Sequence, residues 1–274
     1  MWRGWRDVLG RLGFASAALD AKLLTGHALG LSTLELATRE NEPVDEVAAG
    51  RVAELLQRRM SGESVARIIA EREFYGLAFR LNEATLEPRP DTELLVDLAL
   101  GFLPAGGRVL DLGTGSGCIP IAILANQPAA TAVAVDLSAR ALEAAQENAA
   151  LHGMSERIAL QQGDWFEPLS SERFDLIVSN PPYITSAIVE TLEPEVKDFD
   201  PRLALDGGPD GLAPYVIICA ESVRFLKPAG WLLVEIGFDQ GAAVSALMLQ
   251  AGFEEVTVHR DLNGLDRVVA AHHI

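Results

Sequence analysis

The stretch Arg108-Val109-Leu110-Asp111-Leu112-Gly113-Thr114-Gly115-Ser116-Gly117 decides the fold: a short apolar strand runs into three alternate glycines and then into a helical segment near 117–126. Glycines at such a turn let the backbone pass close to a nucleotide-like ligand; an ordinary strand-to-helix turn is the structural alternative. The dinucleotide-cradling pattern Gly-x-Gly-x-x-Gly would need glycine at position 118, where Cys118 stands, so that version fits poorly. Downstream, strand-like runs alternate with helical ones: Ala132 to Asp136, a helix near 138–151, Ile158 to Leu160, Asp175 to Val178 and Trp231 to Glu235. This alternation predicts an α/β fold with a mostly parallel sheet and helices on both faces. The last two strands, near 255–260 and 266–271, are joined only by residues 261–265, so they must form an antiparallel hairpin at the sheet edge.

Upstream, apolar positions at helical spacing (Val8, Leu9, Leu12; Ala18, Leu19, Leu23, Leu24; Val47, Val52, Leu55, Leu56) predict a small helical bundle, interrupted at Gly13, Gly30 and Asn41-Glu42-Pro43. Phe74, Tyr75, Leu77, Phe79 and Leu81 around Gly76 predict a β-hairpin, closed by Pro88-Arg89-Pro90; Asp91-Thr92-Glu93 then opens a helix with a capping-type signal. The expected organisation is a helical domain over 1–70, a hairpin linker over 71–90 and an α/β domain over 91–274.

The chain carries 22 Lys+Arg against 39 Asp+Glu, a net charge of −17. Phosphate-backbone affinity needs clustered cations, so a direct nucleic-acid partner is not expected. Residues 1–80 hold 11 acidic and 11 basic side chains, so the excess lies entirely in 81–274. It is dense at Glu190, Glu193, Glu195, Asp198, Asp200, Asp206 and Asp210, where it could steer a basic partner or simply be a solvated loop. The start lacks the apolar core of a signal peptide and no apolar run is long enough to span a bilayer, which predicts a cytoplasmic protein with no membrane partner. Cys118 and Cys219 have no metal-ligand spacing and read as buried thiols; no metal is expected.

Asp136 ends the second strand 23 residues after Gly113, where a carboxylate can accept hydrogen bonds from ribose hydroxyls; an Asp capping the next helix is the alternative. Asp164-Trp165 offers a carboxylate and a flat face to an adenine ring. The fourth strand delivers Ser179-Asn180-Pro181-Pro182-Tyr183. Two prolines stop the ladder and turn carbonyls outward, so the Asn180 side-chain oxygen and the Pro181 carbonyl can hold an amino group, with Tyr183 stacking on a planar substrate.

These residues make the chain resemble class I S-adenosylmethionine methyltransferases, and more closely the HemK/PrmC family, which methylates the glutamine of the Gly-Gly-Gln loop in peptide chain release factors. The resemblance spans nearly the whole chain. It rests on Arg72 to Gly76, Pro88 to Glu93, the glycine turn, Asn180 to Tyr183, Ala204 to Leu212, and Glu235-Ile236-Gly237 with Gln240. It implies a Rossmann-like catalytic domain whose cofactor, S-adenosyl-L-methionine, is contacted by Gly113, Thr114, Gly115, Ser116, Gly117, Asp136, Asp164, Trp165 and Asn180. The substrate glutamine would be held by Asn180, Pro181, Pro182 and Tyr183, and the helical domain would help grip the release factor. Enzymes that methylate a ribosomal-protein glutamine, and nucleic-acid amino methyltransferases, share the Asn-Pro-Pro-Tyr type of loop; the Pro-Arg-Pro segment sides with the release-factor enzymes. Glu87 departs from the aliphatic residue usual before Pro-Arg-Pro.

Overall fold

The computed structural model describes residues 1–39 and 42–274; Asn41, named above among the helix breaks, lies outside the described residues. The chain divides into two units, Met1–Glu71 with Pro194–Phe199, and Arg72–Glu193 with Asp200–Ile274.

The first unit is helical: α1 (Trp2–Arg11), α2 (Ala17–Leu29), α3 (Thr33–Thr38), α4 (Glu46–Met60) and α5 (Val65–Ile69). Helices α3, α4 and α5 begin where side chains satisfy orphan N–H groups of the first turn, whereas α1 and α2 have no side-chain cap. Ser32 and Glu35 form a reciprocal capping box, Asp45 accepts from the Ala48 N–H at 2.8 Å, and Ser64 accepts from the Arg67 N–H at 3.1 Å. Gly30, with φ +64°, closes α2 in the left-handed conformation that glycine adopts without strain. One stripe per helix is buried, bringing Leu9, Ala21, Leu24, Val52, Leu56 and Ile68 into a single core. Leu12, Leu19, Leu23 and Val47 share the helical spacing but are exposed, because a bundle of short helices has room for only one buried stripe each. The unit also buries a charge. The Arg59 guanidinium donates to Asp20 at 2.7 Å, to Glu195 at 3.0 Å and to the Glu63 carbonyl at 3.1 Å, and it lies over the Phe14 ring.

The second unit starts with a hairpin, β1 (Glu71–Phe74) and β2 (Leu77–Arg80). Tyr75 and Gly76 both have positive φ (53° and 73°), the conformation a two-residue turn needs to match strand twist. There follow α6 (Glu93–Phe102), β3 (Arg108–Leu112), α7 (Cys118–Asn126), β4 (Thr131–Asp136), α8 (Ala139–Leu151), β5 (Ile158–Gln162) and β6 (Phe174–Ser179). After two short helical turns, α9 (Ser186–Val189) and α10 (Pro194–Lys197, part of the first unit), come α11 (Ala213–Phe225), β7 (Leu226–Glu235), α12 (Gly241–Gln250), β8 (Glu254–Arg260) and β9 (Asp266–His272). The seven strands β3 to β9 pair in the order β5-β4-β3-β6-β7-β9-β8. The first five are parallel; β9 pairs antiparallel with β7 and β8, the edge hairpin expected from the short 261–265 loop.

Side chains of the sheet alternate between two cores. Val109, Ala134, Leu176, Val178 and Leu233 join the side containing α6 and α7, whereas Leu110, Leu112, Val133, Ile177 and Val234 join the side containing α11 and α12. Two details differ from the reading of the sequence. Strand β7 begins at Leu226, five residues earlier than expected, with a register shift in its pairing to β6 between Phe174 and Leu176. Thr92 stands at the N-cap of α6, behind a 3-10 turn over Pro90–Thr92, yet makes no side-chain cap. Its hydroxyl is engaged elsewhere.

Removing Asp20 would leave the Arg59 charge buried with reduced compensation. Asp20→Ala is expected to destabilise the helical unit by about 3 kcal/mol, at the low end of the usual ~3–5 kcal/mol because Glu195 still faces the guanidinium. Urea unfolding followed by circular dichroism measures it, and a change within about 0.5 kcal/mol would show that the pair is immaterial.

Candidate active site

The carboxyl ends of β3, β4 and β6, with the loops that follow them, converge on one cavity of about 280 Å³, near the lower end of the ~300–1,000 Å³ typical of small-molecule sites. Its wall includes Gly113, Thr114, Gly115, Ser116, Asp136, Asp164, Trp165, Asn180 and Pro182, that is, most of the residues singled out in the sequence. Gly117, Pro181 and Tyr183 are not on the wall. Gly117 lies below the turn, where a Cβ would sit 3.2 Å from Ala145 Cβ and Ile121 Cδ1 and the φ of +77° already demands glycine. Pro181 is buried, and the Tyr183 ring packs against the apolar core beside α11. Burial raises the Tyr183 phenol above its ordinary value.

Hydrogen bonds define the glycine turn. The N–H groups of Gly113 and Thr114 both donate to the Val135 carbonyl, at 2.9 and 3.0 Å, which ties the turn to the end of β4. One oxygen of Asp136 accepts from the Gly115 N–H at 2.8 Å and the other from the Ser138 N–H at 2.9 Å. Burial raises its pKa and those backbone donors oppose the rise. Each carboxylate oxygen keeps further acceptor capacity toward the cavity. The Trp165 ring covers Gly113, with Cζ3 3.8 Å from where a Cβ would be, so a larger residue at 113 would meet it.

Three contributions were not read from the sequence. Asn148, fully buried on α8, donates to the Ser116 carbonyl (2.9 Å) and the Arg80 carbonyl (3.0 Å) and accepts from the Arg80 N–H (2.8 Å), fastening the glycine turn to the hairpin. Asp111 is fully buried, and neither of its oxygens reaches hydrogen-bond geometry with any group among the described residues; the Thr114 Oγ1 is likewise unpartnered. Burial pushes Asp111 up to about 7, with the adjacent Thr114 hydroxyl opposing and Asp136 adding to the rise. Glu87 lines the cavity and is buried, its charge met by Arg72 at 3.3 Å. The position that departs from the resemblance is thus an ion-paired wall residue. A buried polar side chain outside a motif leaves no periodic trace, so only Glu87 had any sequence signal.

The Asn180 loop is held from several directions. Ser179 Oγ donates to the Leu112 carbonyl at 2.7 Å, locking the end of β6 to β3. Asn180 Nδ2 donates to Thr92 Oγ1 at 3.2 Å. Glu235, at the end of β7, is buried with its Oε2 unpartnered among the described residues, and burial pushes it up to about 7. Beyond the prolines, Gln240 acts as a clamp. Its Nε2 donates to the carbonyls of Tyr183 and Gly211, each at 3.1 Å, and its Oε1 accepts from the Gly237 N–H at 2.9 Å. The 207–211 turn can close on this loop only without side chains: a Cβ on Gly211 would lie 2.4 Å from the Tyr183 carbonyl oxygen, and one on Gly207 2.7 Å from that of Pro182.

The Pro88 to Glu93 segment is explained residue by residue. Arg89 pairs with the buried Asp200 at 3.0 Å, Asp91 with Arg267 at 3.2 Å, and Glu93 accepts from the Tyr75 N–H at 2.8 Å. The acidic stretch is less free than its composition suggests. Four of its seven carboxylates are ion-paired within the chain: Glu190 and Asp206 with Arg202, Glu195 with Arg59 and Asp200 with Arg89. Much of its charge is therefore structural, and less is left to steer a partner.

Two expected outcomes follow. Gly211→Ala combines a φ of +73° with the 2.4 Å overlap at Tyr183, so it should displace the Asn180 loop and cut turnover by at least ~10²-fold; steady-state kinetics giving native turnover would contradict the clamp. For Asp111, a carboxyl whose folded pKa is raised from 3.8 to about 7 favours folding while protonated, and that contribution is lost as pH rises through this window. Asp111→Asn should therefore lose less thermal stability between about pH 4 and about pH 7 than the native protein, as followed by scanning calorimetry; equal slopes would contradict the burial effect.

Comparison with known proteins agrees with this geometry. The family model described as "Methyltransferase small domain" matches residues 90–193, and "PrmC N-terminal domain" matches 1–69. The chain is 46% identical to "Release factor glutamine methyltransferase" of Agrobacterium fabrum, covering 96% of this chain and 93% of that one. It is 45% identical to the protein of that name from Caulobacter vibrioides, over 98% and 93%. A crystal structure of a methyltransferase from Pyrococcus furiosus shares the fold, with a TM-score of 0.57 at 15% identity over 81% of this chain and all of that one. With near-full-length identity to such relatives added to the glycine turn, the Asn180 loop and the strand order, the chain belongs to the release factor glutamine methyltransferase family.

Proposed function

We propose that the protein transfers a methyl group from S-adenosyl-L-methionine to the side-chain amide nitrogen of the glutamine in the Gly-Gly-Gln motif of peptide chain release factors, in the cytoplasm. The observation that carries this reading is the shared cavity: Asn180 and Pro182 of the loop after β6 line the same wall as the glycine turn and Asp136. A cofactor pocket and an amide-holding loop are thereby one site.

The residues present suit that cofactor. The turn from Gly113 to Gly117 admits close backbone approach, Asp136 has acceptor capacity left for ribose hydroxyls, and Asp164 with Trp165 offers an acceptor and a flat face to adenine. The unpartnered, buried oxygens of Asp111 beside the turn suit a cationic group. When bound, the cofactor supplies a methyl group on a sulfonium, an activated leaving group that requires no metal and no covalent enzyme intermediate.

What the chain contributes is orientation. An amide nitrogen is a poor nucleophile because its lone pair is delocalised into the carbonyl. Acceptors at Asn180 Oδ1 and the Pro181 carbonyl would take both N–H hydrogens of the glutamine, favour a more tetrahedral nitrogen and aim its lone pair. Pro182 supplies wall, and Tyr183, whose partly buried ring packs against the core, is held by the Gln240 clamp on its carbonyl. Residues 1–70 are assigned in this reading to gripping the release factor.

Incubating purified protein with a release factor and cofactor, followed by mass spectrometry of the Gly-Gly-Gln peptide, should reveal a gain of one CH2 on the glutamine. Label from the cofactor in RNA, DNA or a ribosomal protein, with none in the release factor, would overturn the reading. Asn180→Ala should lose at least ~10²-fold in turnover while binding the cofactor within a few-fold of native affinity, since the lost acceptor acts on the transferring nitrogen.

A further inference from the structure

Glutamine is a common residue, so a site that methylates one glutamine of a release factor has to read what surrounds it. In the Gly-Gly-Gln motif the preceding neighbours are glycines, and glycine is selected by leaving no room for a Cβ beside the bound backbone. The place for such a restriction is the part of the cavity wall next to the Asn180 loop.

Two leucines that line the cavity are also largely exposed, Leu137 at 50% and Leu203 at 57%, so both stand where the cavity meets solvent. Leu137 follows Asp136 and belongs with the cofactor residues. Leu203 belongs with the Asn180 loop. It sits on the 3-10 turn Arg202–Ala204, and the backbone around that turn is laid against the residue after Tyr183: the Ile184 N–H donates to the Leu205 carbonyl at 3.0 Å and the Gly207 N–H to the Ile184 carbonyl at 2.8 Å. Charged and polar side chains pin the turn further. Arg202 pairs with Asp206 at 3.0 Å and with Glu190, and Ser186 Oγ donates to Asp206 at 2.6 Å. On the other flank the buried Asp200 pairs with Arg89 at 3.0 Å, which joins the turn to the 86–89 segment, itself part of the same cavity wall.

A single exposed leucine needs no explanation by itself. Leu203 differs in standing on a cavity wall, on a turn that is fastened on both flanks and cannot swing aside. A chain that delivers a glutamine to Asn180 from solvent has to pass the mouth that Leu203 helps to form. Bare backbone can run close along a leucine there, whereas a Cβ facing it would have to displace a pinned wall. Resting on the methyl-transfer reading above, we propose that Leu203 is a specificity-determining residue, whose side chain narrows the mouth beside the Asn180 loop so that the residue directly before the methylated glutamine must be glycine.

The test uses the full-length protein, S-adenosyl-L-methionine and two purified release factors, one native and one with alanine in place of the glycine directly before the glutamine. The native enzyme is expected to prefer the native factor by roughly ten-fold or more in kcat/KM, the order that one methyl group commands in a fitted site. Leu203→Ala opens the mouth and should reduce that preference to within about three-fold, through faster methylation of the alanine-bearing factor. Its affinity for the cofactor, measured by calorimetry without any release factor, should stay within about two-fold of native, because the residue acts on the substrate chain. Leu137→Ala, at the other exposed leucine of the cavity, should retain the native preference. Leu203→Ser is read in the same way and decides the matter if the alanine variant fails to fold. Equal methylation of both factors by the native enzyme, a preference that survives removal of the Leu203 side chain, or one that is lost with Leu137→Ala would each overturn the inference while leaving methyl transfer intact. Absence of glutamine methylation of the native factor by the native enzyme would overturn the functional reading itself.

Discussion

The site depends on the parallel register between β6 and β7. Ser179 is level with Val234, which brings Asn180, just past the end of β6, beside Glu235, the last residue of β7. A slip of one residue would send every side chain of β7 to the opposite face and take Glu235 away from Asn180. The register is held by burial on both sides, since Leu232 and Val234 are needed in one core and Leu233 in the other. The same logic operates on the other flank, where Leu112 is level with Val135 and the Gly113 turn meets Asp136.

Around these strand ends, polar side chains do the fastening, and they do so through backbone groups. Gln240 ties the carbonyls of Tyr183 and Gly211, Asn148 ties that of Ser116, and Ser179 ties that of Leu112. Each is a buried amide or hydroxyl with its capacity largely used, an arrangement that rigidifies a loop because any movement strands a polar group without water. Glycines at 207 and 211 make the approach possible and the amides make it specific. A loop held in this way needs little reorganisation when a substrate binds.

Charge has a similar double use. The acidity that dominates the second part of the chain is partly consumed in holding loops, through Arg89 with Asp200 and Arg202 with Glu190 and Asp206. Exposed pairs of this kind contribute little stability. The buried Asp200 and the ion-paired Glu87 are different, since removing the cation from either would leave a carboxylate out of water. Against this background Asp111 stands out as a buried carboxylate whose oxygens are unpartnered among the described residues.

Much of this was legible in the residues themselves. Strand and helix alternation, the glycine turn, Asp136 at a strand end and the Asn-Pro-Pro-Tyr loop are local patterns whose periodicity or backbone chemistry can be read without coordinates, and they determined the sheet, its edge hairpin and the position of the cavity. The helix breaks at Gly13 and Gly30 were local in the same sense. What only the tertiary structure decided are the relations between distant segments: Thr92 serving Asn180 instead of its own helix, the Tyr183 ring packed against the core, Gln240 and Asn148 as fasteners, and four of the seven acidic residues as ion pairs. Hydrogen bonding and ion pairing depend on which groups meet in space, and side chains 88 or 57 residues apart, as Asn180 is from Thr92 and Gln240 from Tyr183, meet only once strand register has been set.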